Sequence, residues 1–409
     1  MKIINKKYKI ALVSEMYLPR IGGLELHVRD LARELNACGH EAQVICNTPG
    51  PLCYQDGVRI HRLGLPRLPL VETVADLRTG RTLRDLFLRE RYDVIHVQSG
   101  FLPLSHIACY QAKSINLPCV FTEVSWQGAE WLTFFSMLHR ATGWGNWPTC
   151  ISGVSQCVAD QLAEITNRSD VFVLHNGVRV RDWQTKPGPR LLPQVVSVMR
   201  FARRKQPVDV VRALREVHSL LPSTLRPRFV LIGDGPERAS VQREIAKLKV
   251  APYIDLPGFL DRSTIHHIFE SSSVFILPTE REAMSIVCVE ALAAGLPVVA
   301  RSHNGVADVV AHGREGFLAA NFNDFAEYIA QLIRDPDLRE RLAKGATARV
   351  ERFAWEHVVL RNLHVYALAI ARTNRLPEPA LNRFGHLQEN QTMPVVGAIE
   401  SNEHLIPRT

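Results

Sequence analysis

The segment from Thr279 to Asp308, TEREAMSIVCVEALAAGLPVVARSHNGVAD, constrains this chain more than any other. Just upstream, Val274 to Leu277 is a strand-type apolar run closed by Pro278. Ile286, Val287, Val289, Leu292 and Ala293 then recur with a helical apolar pattern. Gly295 and Pro297 stop that helix, and Val298–Val299 opens another strand. Strand, loop, helix, stop and strand in this order make a right-handed βαβ crossover. A helix that opens at the carboxyl end of a parallel strand aims unpaired N–H groups at whatever binds there. Glu282 and Glu290 stand with seven residues between them, the first predicted in the loop and the second inside the helix. Carboxylates so placed can hold hydroxyls while the amides hold phosphate. A solvated helix explains one glutamate, but not one embedded in IVCVEALAAG.

The same alternation of strand and helix runs through the whole chain. In the first half the strands are Ile10–Ser14, Ala42–Cys46, Val58–Leu63, Val94–Val97, Cys119–Phe121, Cys150–Val154 and Val171–Leu174. A helix pattern from Leu24 to Ala37 follows the first of them and is capped at Gly39. Arg181 to Pro193 (RDWQTKPGPRLLP) breaks the rhythm and reads as a linker. A second series follows at Val195–Val198, Phe229–Ile232, Tyr253–Leu256, Val274–Leu277, Val298–Ala300 and Gly316–Leu318. The expected architecture is α/β, with two doubly wound parallel-sheet domains facing a cleft at the carboxyl ends of their strands. The domains are predicted at 1–186 and 187–355. A C-terminal helix over 356–372 is expected to cross back to the first domain, and 373–409 forms a polar tail expected to be disordered.

At 409 residues with 46% hydrophobic and 22% charged content, the composition is that of a soluble globular protein. No apolar run approaches the ~20 residues that cross a bilayer. The N-terminal apolar core, Ile10 to Val13, is only a strand long and is interrupted by Glu15, so a cytoplasmic location is expected. None of the eight cysteines forms a C-x-x-C pair, which favours buried thiols in a reducing compartment. The formal charge of +8 is spread evenly, residues 1–187 holding 21 Lys and Arg against 17 Asp and Glu. Even spreading argues against a nucleic-acid partner. Residues 59–91 are locally richer in arginine interleaved with leucine. A solvated amphipathic helix is the simpler reading of that stretch, and a peripheral contact with the inner membrane face is the alternative.

Three further groups could carry chemistry. In the loop Arg20-Ile-Gly-Gly23, Gly22 and Gly23 let the backbone approach a diphosphate at a helix start. Arg200, Arg203, Arg204 and Lys205 follow the strand Val195–Val198 and put cations where the cleft is expected. His96 reads as a satisfied strand-end histidine and Asp234 as turn chemistry. His266, His267 and His303 are read as lacking a carboxylate or cysteine at ligand spacing, so no metal is expected. Gly233-Asp-Gly235 starts like a dinucleotide fingerprint, but Arg238 takes the third glycine position.

Assembled in order, these phrases resemble the retaining glycosyltransferases of family 4, which have a B-type fold of two Rossmann-like domains. The likeness covers residues 8 to 370 through PRIGGLELHVRDLARELNACGHEAQVI, DVIHV, ISGVSQCVADQL, VLHNGV, FVLIGDGPE, GLPVVA, NGVADVV and FAWEHVVLRNLHVY. The N-terminal half is most similar to the catalytic subunit that adds N-acetylglucosamine to phosphatidylinositol, through PRIGGLELHV, LRERYDVIHVQSGF and VFTEVSWQG. The resemblance implies transfer of a hexose or N-acetylhexosamine, with retention, from a UDP-linked donor to a hydroxyl on a small molecule, glycan or lipid. It implies that Glu290 binds ribose and Glu282 the donor sugar, with the amides of Ala283, Met284 and Ser285 lining the pocket. Arg200 and Lys205 would hold the diphosphate under Gly22 and Gly23, with no cofactor and no metal.

Two departures accompany it. Where the family shows a histidine, in a phrase like T-x-H, this chain reads Phe121-Thr122-Glu123-Val124-Ser125, which leaves Glu123 or Ser125 as the substitute contact for the donor sugar. The family phrase E-G-F-G reads Glu282-Ala283-Met284-Ser285, which bears on the choice of sugar. A nucleotide-sugar-binding protein impaired in catalysis, or a nucleotide-sugar epimerase, are the competing readings.

Overall fold

The computed structural model describes residues 6–20, 22–50, 53–66, 76–126, 128–185, 193–302 and 304–377. The domain boundary expected at 186/187 and the tail from 378 onward lie outside them, as do residues 67–75 of the arginine-rich stretch.

The first half builds an eight-stranded sheet from β1 (Lys9–Val13), β2 (Glu41–Cys46), β3 (Cys53–Gln55), β4 (Val58–Arg62), β5 (Val94–Ser99), β6 (Cys119–Glu123), β7 (Cys150–Gly153) and β8 (Val171–Val173). Its order is β3-β4-β2-β1-β5-β6-β7-β8. All pairs are parallel except β3 with β4, a short edge hairpin the apolar pattern did not anticipate. The second half builds a six-stranded parallel sheet from β9 (Gln194–Val198), β10 (Arg228–Ile232), β11 (Ile254–Gly258), β12 (Val274–Leu277), β13 (Val298–Arg301) and β14 (Gly316–Ala319), in the order β11-β10-β9-β12-β13-β14.

The helices are α1 (Gly23–Ala37), α2 (Thr79–Glu90), α3 (Pro103–Ser114), α4 (Ala129–Thr142), α5 (Gln156–Thr166), α6 (Pro207–Leu220), α7 (Arg238–Leu248), α8 (Arg262–Ser271), α9 (Ile286–Ala293), α10 (Phe322–Arg334), α11 (Pro336–Val350) and α12 (Trp355–Thr373). On the first sheet, α2, α3 and α4 share one core with Leu83, Leu104 and Phe135, while α1 and α12 share another with Val28, Leu31 and Leu368. Strand order reverses between β1 and β5 in one sheet and between β9 and β12 in the other. Crevices open at such switch points, beyond the carboxyl ends of the strands.

The expected linker begins instead as a 3-10 turn, Val180–Trp183, because Trp183 finds a buried place against Phe269 (5.5 Å between rings). α12 crosses back onto the first sheet, where Trp355 stacks on His27 at 5.5 Å and Tyr366 reaches His96. A Cβ on Gly177 would overlap the Trp355 ring. Gly177→Ala is therefore expected to cost roughly 1–3 kcal/mol through overpacking, read as a lowered Tm; an unchanged Tm would show that the ring gives way freely. Five described cysteines, Cys46, Cys109, Cys119, Cys150 and Cys288, are buried free thiols, whereas Cys38 is exposed.

Candidate active site

Each switch-point strand delivers one of the loops singled out in the sequence. After β1, Gly22 caps α1 in an extended conformation, and Gly23 has open space where a side chain would stand. The Glu25 carboxylate folds back over Gly22, where Arg20 Nε meets its Oε1 at 3.3 Å. The glycine loop thus carries its own buried acid at the helix start, where the helix dipole favours a negative charge. Neither its presence nor its direction was read from the sequence.

After β9, Phe201 is fully buried and anchors the turn that holds Arg203–Lys205 in a 3-10 helix. Lys205 Nζ makes an ion pair with Glu282 Oε2, and the Lys205 carbonyl accepts from Thr279 Oγ1 at 3.3 Å. The two carriers of opposite charge, 77 residues apart in sequence, close on one another at the junction of β9 and β12. Arg200 is exposed and lines a cavity of about 880 Å3. That cavity is walled by Arg20 and Thr48 from the first half and by Gly233, Asp234 and Phe259 from the second. Gly233 has a positive φ of 134°, and a Cβ there would overlap the Met199 carbonyl. Asp234 accepts the Gly235 N–H at 2.7 Å, the expected turn, while also walling the cavity.

Glu282 lies in the loop before α9, and Ser285 caps that helix by accepting the Cys288 N–H. Ala283, Met284 and Ser285 are all buried. The loop is held from behind. Asn304 donates to the Thr279 carbonyl at 3.0 Å, the Gly305 N–H donates to the Glu282 carbonyl at 2.8 Å, and Met284 Sδ accepts the Asn176 N–H. A Cβ on Gly305 would overlap the Ala283 carbonyl. Gly305→Ala is expected to displace the Glu282 loop and to cost roughly 1–3 kcal/mol through overpacking. A lowered Tm measures it, and an unaltered Tm would show that the loop absorbs the change.

Glu290 sits inside α9 and pairs with Arg262 Nη2 at 2.7 Å. Burial pushes its carboxyl up to about 7 against the pull of Arg262, and Asp30 on α1 adds to the rise across the cleft. Arg262 opens α8 behind its cap Asp261, and its guanidinium lies 5.2 Å over the Trp183 ring. No local signal marked Arg262, because its partner is distant in sequence.

Glu123 ends β6 fully buried. Its Oε1 accepts the Ser125 N–H at 2.8 Å and also the Ser125 hydroxyl, whereas Oε2 has no partner among the described residues. Burial pushes this carboxyl up to about 8 against those bonds. One residue on from Ser125, the Trp126 ring faces Arg281, the neighbour of Glu282, at 5.8 Å. The β6 and β12 loops therefore meet across the cleft. Asp308 fastens the two halves, accepting from the Gln156 N–H at 2.8 Å and from His175 Nε2 at 3.0 Å.

His96 is satisfied, with Nδ1 2.7 Å from the Tyr366 hydroxyl and Nε2 2.7 Å from Thr122 Oγ1; burial drives its imidazole down to about 3. The histidine reading needs one correction. Glu270, one helical turn from His266 and His267, brings a carboxylate to within 4.8 Å of both imidazoles. His303 lies outside the described residues.

Two doubly wound sheets whose switch-point loops converge on one cleft define a protein that binds its ligand between two α/β halves. The chain matches the family models described as "Glycosyl transferase 4-like domain" over residues 22–177 and "Glycosyl transferases group 1" over 185–349. It belongs to the family 4 glycosyltransferases of B-type fold. It is 24% identical over 378 residues to an alpha-monoglucosyldiacylglycerol synthase from Acholeplasma laidlawii, covering 85% of this chain and 94% of that protein. It is 26% identical over 315 residues to one of the subunits of the human phosphatidylinositol N-acetylglucosaminyltransferase, covering 75% of this chain and 64% of that one. Among solved structures, Anabaena HepE in complex with UDP-glucose superposes with a TM-score of 0.70 at 19% identity, covering 90% of this chain and 99% of that one.

Proposed function

We propose that this chain moves a hexose or N-acetylhexosamine from a UDP-linked donor to a hydroxyl acceptor with retention of configuration. The observation that carries the proposal is the Lys205–Glu282 pair at the second switch point, its lysine on the same loop after β9 that puts Arg200 on the cavity wall. In this reading Arg200, Lys205 and the first amides of α9 take up the charge of the departing diphosphate, and Gly22 and Gly23 close over it. Glu290 accepts the ribose hydroxyls and Glu282 a hydroxyl of the donor sugar. The bond from C1 to the phosphate oxygen breaks with its electron pair going to phosphate. That oxygen takes the acceptor's hydroxyl proton, and the new C1–O bond forms on the same face. The cations and helix start supply the positive charge, so the reading includes no resident metal or cofactor.

The first sheet forms the acceptor half and the second the donor half, with a cytoplasmic location. The lipid-directed names of the two sequence relatives support a lipid hydroxyl as acceptor, and the UDP-glucose complex of HepE supports a UDP-linked donor. The test is UDP release from a panel of UDP-sugars with glycan and diacylglycerol acceptors, followed by NMR of the product's anomeric proton. An α-linked product from the α-linked donor is expected; an inverted product sinks the retaining assignment.

A second reading, nucleotide-sugar binding without turnover, is favoured by Glu123 standing where the family has histidine with one oxygen tied to Ser125. UDP binding with no release across the panel would establish it. An altered sugar released without any acceptor would indicate epimerisation instead.

A further inference from the structure

We propose that His266, His267 and Glu270 on α8 bind one divalent transition-metal ion of the zinc, cobalt or nickel class, at a site separate from the transfer chemistry. Glu270 follows His266 by four residues and His267 by three, the two spacings that bring helical side chains together. The structure realises both. His266 Nδ1 lies 3.9 Å from Glu270 Oε1, and His267 Nδ1 lies 3.1 Å from Oε2. One carboxylate thus stands between two imidazoles, each facing a different oxygen, with the ligand atoms within 4.8 Å of one another.

Histidines beside a glutamate on a helix surface are ordinary when they form hydrogen bonds. His266 does not form one with Glu270. Its Nε2 is 3.4 Å from the Gln184 carbonyl, and a ring nitrogen meets a carbonyl only by donating its proton. The neutral ring therefore carries its proton on Nε2 and turns the Nδ1 lone pair toward the carboxylate. Two acceptors face each other there, and a cation between them satisfies both. A backbone carbonyl behind the far nitrogen is also what orients a ligating histidine and raises its basicity.

Packing holds this ring in place. The Trp183 ring lies 6.1 Å from it, and Arg262, one turn earlier on α8, covers the same indole at 5.2 Å. The His266 side chain is 21% exposed, whereas that of His267 is 76% exposed and can swing onto an ion. A tetrahedral ion with bonds of about 2.0–2.2 Å sets its ligands roughly 3.4 Å apart, so side-chain rotation alone closes the site.

Ligand chemistry selects the ion. Two imidazole nitrogens and one carboxylate suit zinc and its neighbours, whereas magnesium and calcium take oxygen ligands. Three protein ligands leave a position for water. None of the three side chains lines the cavity between the halves. Through His266 and the Gln184 carbonyl the ion ties α8 to the segment that follows Trp183, one turn from the Arg262 that pairs with Glu290.

Calorimetry of the full chain, without a histidine tag, against zinc chloride near neutral pH tests the proposal. A site for one zinc ion per chain is expected, competed by Co2+ or Ni2+ and indifferent to Mg2+. Excess zinc should raise the Tm, because the ion binds the folded helix. His267→Ala and Glu270→Gln are each expected to weaken the binding by about tenfold or more, at least the scale of losing an outer-shell partner, and to remove the rise in Tm. The metal-free Tm of His267→Ala should equal that of the wild type, since this side chain is mostly in solvent, and that certifies the fold. Equal zinc affinity in the wild type and both variants overturns the site, because it assigns the ion to other histidines or to the exposed Cys38. So does the absence of saturable binding, or displacement of zinc by Mg2+. None of these readouts uses a sugar donor, so failure of the transfer reading would leave the metal site standing.

Discussion

Lys205→Ala is expected to lower kcat/KM for donor turnover by roughly 10²–10³, the usual loss when one fixed charge-stabilising group leaves a transition state. The same change strands Glu282, whose side chain is 11% exposed. A fully buried broken pair costs about 3–5 kcal/mol, and the residual exposure of both partners here lowers that to roughly 1–3 kcal/mol. Loss of activity alone is thus ambiguous between chemistry and stability. The double variant Lys205→Ala/Glu282→Gln separates them, because a neutral amide no longer leaves an uncompensated charge behind. Its Tm should recover toward the wild-type value, while its turnover should lie about 10²–10³ below that of Glu282→Gln alone, which controls for the lost carboxylate. Turnover equal to that of Glu282→Gln would show that Lys205 serves only the fold, and the leaving-group role would be lost.

On the proposed ribose role, in which hydroxyls donate to the ionised form of Glu290, donor affinity is expected to rise with pH through about 7, near which burial places the Glu290 carboxyl. Burial is the main cause, and Arg262 only partly offsets it. Arg262→Ala should move the acid limb to higher pH. Glu290→Gln should flatten it and weaken UDP binding by about 10², the scale of one or two hydrogen bonds to a charged group. Calorimetry with UDP from about pH 5.5 to 8.5 measures all three proteins. A flat profile in the wild type would falsify the ribose role.

The sign for folding runs the other way. A carboxyl raised from 4.5 in the unfolded chain to about 7 in the folded one binds more protons when folded. Its contribution to stability therefore falls as pH rises from about 4.5 to 7, by at most ~1.4 kcal/mol per unit, and the cost is fully present above 7. Bound donor should offset part of that cost by mass action.

Much of the site is legible in the sequence because local signals carry it. Pro278, Gly295 and Pro297 punctuate the crossover around α9, and Glu290 stands out because it interrupts an apolar face. The strands agree with the apolar runs within one or two residues, since a parallel strand buried on both faces leaves an uninterrupted signature. β3 escapes because three residues of an edge hairpin carry no such signature. Arg262, Asp308 and the folded-back Glu25 escape for another reason: their partners are distant in sequence or set by direction. Glu270, at helical spacing from both His266 and His267, is within reach of a local argument.

Sequence alone determined the order of strands and helices, the presence of two doubly wound halves, and the residue types at each switch-point loop. These follow from periodicity and punctuation, which act over a few residues. Tertiary structure alone decided which charges meet. It paired Lys205 with Glu282 and Arg262 with Glu290, tied Glu123 to Ser125, and joined the halves through His175 and Asp308. It also buried Glu123 and half-buried Glu290 while leaving the rings of α4 in solvent. Desolvation and Coulomb attraction depend on distance in space, and the chain reveals distance only once it has folded.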